Sequence, residues 1–179
     1  MKIKLHDRTF ELSVPAADID KVIAEMGAKM NKDLAGKRPL FLCVLNGSFM
    51  FASDLMKHIT VEGAEISFVK LTSYAGTESV GTVRELIGLT ENLEGRTVVI
   101  MEDIVDTGIT MHSTKATLHK MNPKEILIST LFFKPDSLQR ELTLDYVGID
   151  IPNDFIVGRG LDYDGLGRNY PDLYTVCEE

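Results

Sequence analysis

The sequence predicts an α/β fold with a mostly parallel central sheet flanked by helices, and three observations carry that prediction. A short unbroken apolar run at residues 39–45 (PLFLCVL) and apolar-rich segments at 97–101 and 126–133 are as expected of strands covered on both faces. The first two lead through a turn into a segment with helical spacing. The order strand, turn, helix, strand then repeats, which argues for parallel strands joined by crossovers. With 179 residues and a hydrophobic fraction of 44%, one domain can bury its own core without staples.

Along the chain, residues 3–14 alternate loosely and read as one or two short strands. Residues 15–34 read as a helix, because Ile19, Val22, Ile23, Met26 and Met30 fall on one face. Its acids between Asp18 and Glu25 read as a solvated side. The strand at 39–45 stops at Asn46-Gly47-Ser48, a turn signal, and a helix fits residues 49–58. Residues 65–71 form the next strand. Residues 73–83 (SYAGTESVGTV) are polar and contain two glycines, so they read as a long loop able to move. A strand resumes over 84–89, another covers 97–101, a helix spans 109–121, and a buried strand spans 126–133. Beyond Asp136 the pattern becomes irregular, with short strands and a Gly-rich stretch at 158–167.

Composition excludes several functions. The net charge of -8 disfavours nucleic acid as a partner, since binding a phosphate backbone needs a cationic face. No run approaches the length needed to span a membrane, no secretory signal opens the chain, and a cytoplasmic location is the expectation. Cys43 and Cys177 form no metal or redox motif, and Cys43 reads as a reduced buried thiol. His112 and His119 share a helix face but lack the spacing of a zinc pair.

The most informative segment is VVIMEDIVDTGITMHS, residues 98–113. Four apolar residues run into Glu102 and Asp103; Asp106, Thr107, Gly108, Ile109 and Thr110 come next, and then a helix begins. In an open α/β sheet such a turn lies at the carboxyl end of a strand, where ligands bind. Free N–H groups at a helix start suit a phosphate, and Gly108 permits close backbone approach. Three carboxylates beside a phosphate would repel it unless they hold hydroxyls or a hard cation. The pattern therefore suggests a ligand carrying phosphate, a diol and a metal together. Neither GxGxxG nor GxxxxGK[ST] occurs, which disfavours dinucleotide and P-loop readings.

This segment resembles the phosphoribosyl-pyrophosphate motif of type I phosphoribosyltransferases: an apolar strand, two acids, then D-T-G-x-T. Other segments are similar to the hypoxanthine-guanine branch of that family. LCVLNG (42–47) resembles its pyrophosphate loop, with Leu45, Asn46 and Gly47 at the contact. Ser73 and Tyr74 resemble the start of its catalytic lid. LFFK (131–134) resembles its base-contacting strand, ending on Lys134, and VGIDIPNDFIVGRGLD (147–162) resembles its purine hood and second metal site. Many relatives carry a basic residue where this chain has Asn46, and relatives vary at Asp154 and Arg159-Gly160.

The resemblance implies the type I phosphoribosyltransferase fold as a single domain over 1–179. A small hood would form from the N-terminal strands and the stretch from about 135 to 179. It implies that Glu102 and Asp103 hold ribose hydroxyls, and that Thr107, Gly108, Ile109 and Thr110 hold the 5′-phosphate. Asp106 would accept a proton from N7 of the base. Lys134 would donate to the O6 carbonyl, which favours 6-oxopurines over adenine. Phe155 would stack on the purine, Ile156 would offer backbone groups to its edge, and Arg168 would contact pyrophosphate. Mg²⁺ is the implied cofactor, held by Asp162, Glu102 and Asp103. The implied partners are phosphoribosyl pyrophosphate, a purine base, and further copies of the chain in a homodimer or homotetramer. Two rival readings are a catalytically weak regulator of this fold that binds nucleic acid, and a phosphoribosyltransferase for another base.

Overall fold

The computed structural model of the chain describes residues 1–74 and 83–177, with side chains described outside 72–87. Two antiparallel strands open it, β1 (Lys2–Leu5) and β2 (Arg8–Val14). Helix α1 (Ala16–Asp33), strand β3 (Leu40–Leu45), helix α2 (Phe49–Met56) and strand β4 (Glu65–Tyr74) follow. Then come β5 (Val83–Ile87), β6 (Thr97–Val105), α3 (Ile109–His119) and β7 (Glu125–Phe133). The chain ends with β8 (Tyr146–Asp150), β9 (Ile156–Val157) and β10 (Leu173–Cys177).

Six strands make the large sheet in the order β5-β4-β3-β6-β7-β8. All its neighbours are parallel except β5, which runs antiparallel to β4. The mostly parallel sheet read from the apolar runs is the one observed. Alternation along each run feeds two cores. Phe41 and Cys43 of β3, with Val99 and Met101 of β6, pack with the buried face of α1 and with Phe51 and Leu55 of α2. Leu40, Leu42 and Val44, with Val98 and Ile100, pack with Met111 and Leu118 of α3. Both faces of β3 and β6 are thus covered, and a polar residue on either face would lose its water.

Several elements depart from the sequence reading, α2 and β5 by ending two residues early, at Met56 and Ile87. Strand β6 runs on to Val105, so Glu102 and Asp103 stand in the strand rather than in the turn after it. The acids suggested a strand end. Pairing with β7 outweighs them, with Glu102 opposite Thr130, Ile104 opposite Phe132 and Val105 opposite Phe133. Strand β4 likewise extends to Tyr74, because β5 pairs along it and puts Ser73 opposite Arg84 and Tyr74 opposite Val83. Ser73, Tyr74 and Val83 therefore leave the expected loop, and its remainder, residues 75–82, lies outside the described residues. Helix α3 ends at His119, two residues early.

A second, antiparallel sheet has the order β1-β2-β10-β9 and closes on Leu5, Phe10, Val157 and Tyr174. The stretch after 135 divides between the sheets, with β8 beside β7 and with β9 and β10 in the smaller sheet. Ile156 and Leu173 reach into the main core and join the two bodies. No helix among the described residues is long and apolar enough to cross a membrane.

Candidate active site

Because β3, β4, β6 and β7 run parallel, their carboxyl ends meet at one edge, which is where ligands gather in such sheets. A cavity of about 170 Å³ opens there, lined along the continuous stretch from Glu102 to Gly108 and by Thr110 and Met111. The turn is shaped by Gly108, whose φ of 74° is the left-handed region that a side chain rarely adopts. A Cβ there would also come within 2.8 Å of Leu138 Cδ1. His112 N–H closes the first helical bond onto the Gly108 carbonyl, so α3 starts at the cavity wall with its amino end toward it.

Asp106 is exposed at the cavity rim, while Lys134 is buried at 7%. Lys134 Nζ stands 3.6 Å from Asp106 Oδ2. The backbone of Lys134 is fixed by its N–H bond to the Val105 carbonyl, so β6 and β7 deliver the two side chains together. A carboxylate able to accept a proton and an ammonium able to donate a hydrogen bond therefore stand side by side.

Glu102 is half-buried and Asp103 is buried. Burial raises the Asp103 carboxyl above the usual carboxylate range; hydrogen bonding with Glu102 and from the Ile104 N–H, and the charge of Arg168, pull it back in part. Asp103 Oδ2 presses on Gly47, where a Cβ would lie 1.5 Å from it. No local pattern signals that contact. The loop at Leu45, Asn46 and Gly47 begins with a cis Leu45-Asn46 peptide, and Ser48 Oγ anchors it by donating to the Val44 carbonyl. Gly47→Ala is expected to cost about 1–3 kcal/mol, because the Asp103 carboxylate, held by the Ile104 N–H, must give way. In a chain of this size each kcal/mol lowers Tm by roughly 2–4 °C, so a thermal melt reads the effect directly. An unchanged melt would mean that the loop yields freely.

Asp162 and Arg168 are joined to each other by an ion pair of 2.7 Å. Asp162 Oδ2 also accepts from Gly165 N–H, and Arg168 donates to the Gly160 carbonyl at 2.7 Å. Among the described residues, no three His, Cys, Asp or Glu side chains gather closely enough to hold a metal by themselves. Mg²⁺ does not need such a cage, since it keeps several waters and shares one or two carboxylates with ligand phosphates. The hard oxygen donors of Glu102, Asp103 and Asp162 fit that style of binding.

Phe155 is 40% exposed. Tyr163 meets it edge-on at 5.6 Å and the Arg8 guanidinium lies 5.6 Å from its ring centroid. The ring is therefore held from the N-terminal strands as well as from its own loop. Ile156 pairs with Thr175, while Val176 N–H donates to the Phe155 carbonyl. That alternation turns the N–H and C=O of Ile156 away from β10, toward the open edge of the small sheet. Ser73 and Tyr74 end β4, three residues or more beyond its last pairing with β3 at Lys70.

Two charged residues have no role in the sequence reading. Arg8 is one. Arg159 is the other, buried in the Gly-rich stretch and paired with Asp20 and Asp54. Asp20 thus has a partner on a helix side expected to be merely solvated. Neither has a local signal, because both contacts join residues more than 100 positions apart in sequence.

Comparison with known proteins gives a consistent result. The family model for the phosphoribosyl transferase domain matches residues 15–164. A hypoxanthine-guanine phosphoribosyltransferase of Streptococcus thermophilus is 42% identical over 163 residues, covering 90% of each chain. A solved hypoxanthine phosphoribosyltransferase from Staphylococcus aureus superposes with a TM-score of 0.86 at 38% identity, covering 93% of this chain and 91% of that one. A Trypanosoma cruzi hypoxanthine phosphoribosyl transferase superposes with a TM-score of 0.85 at 27% identity, covering 98% and 95%. That protein was solved in work on the role of its C-terminal region in oligomeric state and enzymatic activity.

Proposed function

The chain belongs to the phosphoribosyltransferase family, and on that premise we propose how its cavity carries out the reaction. The enzyme is a purine-salvage transferase of the hypoxanthine-guanine type. It moves the 5-phosphoribosyl group from phosphoribosyl pyrophosphate to N9 of a 6-oxopurine, giving IMP or GMP and pyrophosphate. The nucleic-acid-binding regulator finds no support beside it, with relatives that are transferases and a net charge of -8.

The observation that carries the residue assignment is the pairing of Asp106 with Lys134 at 3.6 Å. On a 6-oxopurine, N7 and O6 lie side by side on one edge. A carboxylate for the N7 proton and an ammonium for O6 must therefore also stand side by side. In the proposed mechanism Lys134 donates to O6 and Asp106 accepts the N7 proton as N9 attacks the anomeric carbon. Thr107, Gly108, Ile109 and Thr110 cradle the 5′-phosphate at the start of α3. Glu102 and Asp103 accept from the ribose hydroxyls. Phe155 stacks on the base, and the outward N–H and C=O of Ile156 meet its far edge. Leu45, Asn46 and Gly47 take the pyrophosphate with backbone groups, Arg168 adds its remaining donors, and Ser73 and Tyr74 approach from the end of β4.

Asp162, Glu102 and Asp103 would hold Mg²⁺, which when bound offsets the charge of the pyrophosphate as it leaves. A cytoplasmic site of action fits the two free cysteines. A homodimer or homotetramer belongs to the same proposal, supported by the interest in oligomeric state attached to the Trypanosoma cruzi relative. The test is a panel of hypoxanthine, guanine, xanthine and adenine with phosphoribosyl pyrophosphate and Mg²⁺, read as pyrophosphate release. Release with hypoxanthine or guanine is expected; none with any base would overturn the reading.

A further inference from the structure

Arg159 is 3% exposed, and its backbone adopts a φ of 48°, uncommon for a residue with a side chain. It lies between two glycines that are in contact with their surroundings. A Cβ on Gly158 would meet the Asp172 carbonyl at 2.1 Å, and one on Gly160 would meet the Gly47 carbonyl at 1.9 Å. The segment 158–160 therefore bears on the stretch before β10 at Gly158 and on the loop that follows β3 at Gly160. Its backbone is fixed from the other side, where Arg159 N–H donates to the Tyr170 carbonyl at 2.8 Å and Gly160 N–H to the Arg168 carbonyl at 3.0 Å.

The guanidinium spans three elements. One nitrogen donates to the Pro171 carbonyl at 3.0 Å. The other binds Asp54 of α2 at 2.8 Å and Asp20 of α1. Helix α2 begins directly after the loop, and Phe49 N–H reaches back to the Asn46 carbonyl. Arg159 thus grips the helix that leaves the loop, while its neighbour Gly160 bears on the loop itself. A planar fork presents its donors in a fixed geometry that a compact, rotating ammonium does not reproduce. Its buried Nε–H has no acceptor among the described residues.

We propose that Arg159 is a positioning residue for the loop at 46–48, setting from behind the geometry with which that loop takes pyrophosphate. The inference rests on reading that loop as the pyrophosphate site. Loss of the fork loosens α2 and Gly160 together, and the loop drifts out of register with its ligand.

Arg159→Met, Arg159→Lys and Asp54→Asn test the proposal. The readouts are KM for phosphoribosyl pyrophosphate, KM for hypoxanthine, kcat, and the calorimetric Kd of pyrophosphate with Mg²⁺. Arg159→Met is expected to raise KM for phosphoribosyl pyrophosphate and Kd for pyrophosphate roughly ten- to hundredfold, as displaced binding groups do. KM for hypoxanthine should move much less. Arg159→Lys should fall between the wild type and Arg159→Met, and Asp54→Asn should shift the same two constants in the same direction. A structural strut alone would lower the melting temperature and the active fraction while the folded protein kept wild-type constants, and that result overturns the proposal. If Arg159→Met does not fold, Asp54→Asn decides by the same constants. Absence of nucleotide formation by the wild type would sink the reading of the site. Normal wild-type turnover with unmoved constants in the variants would sink only the role of Arg159. Pyrophosphate calorimetry reads the loop in either case.

Discussion

Asp106→Asn is expected to lower kcat by roughly 10²–10⁴, the range for loss of a positioned general base. Binding of phosphoribosyl pyrophosphate should stay close to wild type, because Asp106 stands at the rim, outside the pair Glu102 and Asp103. The amide keeps the shape and can still face Lys134, but it cannot take a proton from N7. The fold should hold. The Asp106 side chain is 49% exposed, and an ion pair with such a partner is worth only about 0–1 kcal/mol. Steady-state kinetics and calorimetry with phosphoribosyl pyrophosphate separate the two quantities, and a melt checks integrity. Equal losses in turnover and in affinity would assign Asp106 to ligand binding and remove it from proton transfer.

The second large effect concerns the choice of base. The buried Lys134 ammonium has three donors and no acceptor. O6 of hypoxanthine or guanine receives one of them. Adenine offers an amino group instead, so two sets of hydrogens would face each other at the buried Lys134. A site built around one such bond can reject the analogue lacking it by roughly 10⁴. The wild type should therefore be nearly inactive with adenine. Lys134→Gln should lose activity on hypoxanthine and narrow the gap, since an amide both donates and accepts. Comparable use of adenine by the wild type, or an unchanged ratio in Lys134→Gln, would remove Lys134 from base recognition.

Much of the frame was legible because it is written in local patterns. The run at 39–45 is apolar throughout since both faces of β3 are covered, and the face of α1 follows from Ile19, Ile23, Met26 and Met30. The D-T-G-x-T turn marked the cavity, as its glycine and its position before a helix are near neighbours in the chain. What stayed hidden depends on pairing across distance. Glu102 and Asp103 looked like a strand end, and only the register with β7 carries β6 past them. The pressure of Asp103 on Gly47, the Arg8 guanidinium on Phe155, and the burial of Arg159 all join remote segments. No periodicity reports such contacts, and a lone charged residue in a Gly-rich stretch reads as solvated.

The small sheet carries a consequence for how the molecule comes into being. Its central pairing joins β2 to β10, with Val14 opposite Leu173 and Thr9 opposite Cys177. During synthesis the hairpin of β1 and β2 emerges well before β10, the strand that β2 pairs with. The pairings of the large sheet span less of the chain, the longest joining β3 to β6. Closing the span from β2 to β10 costs entropy that only the finished core can offset. The smaller sheet is therefore the later of the two to close, after the strands that carry the Asp106 turn have paired.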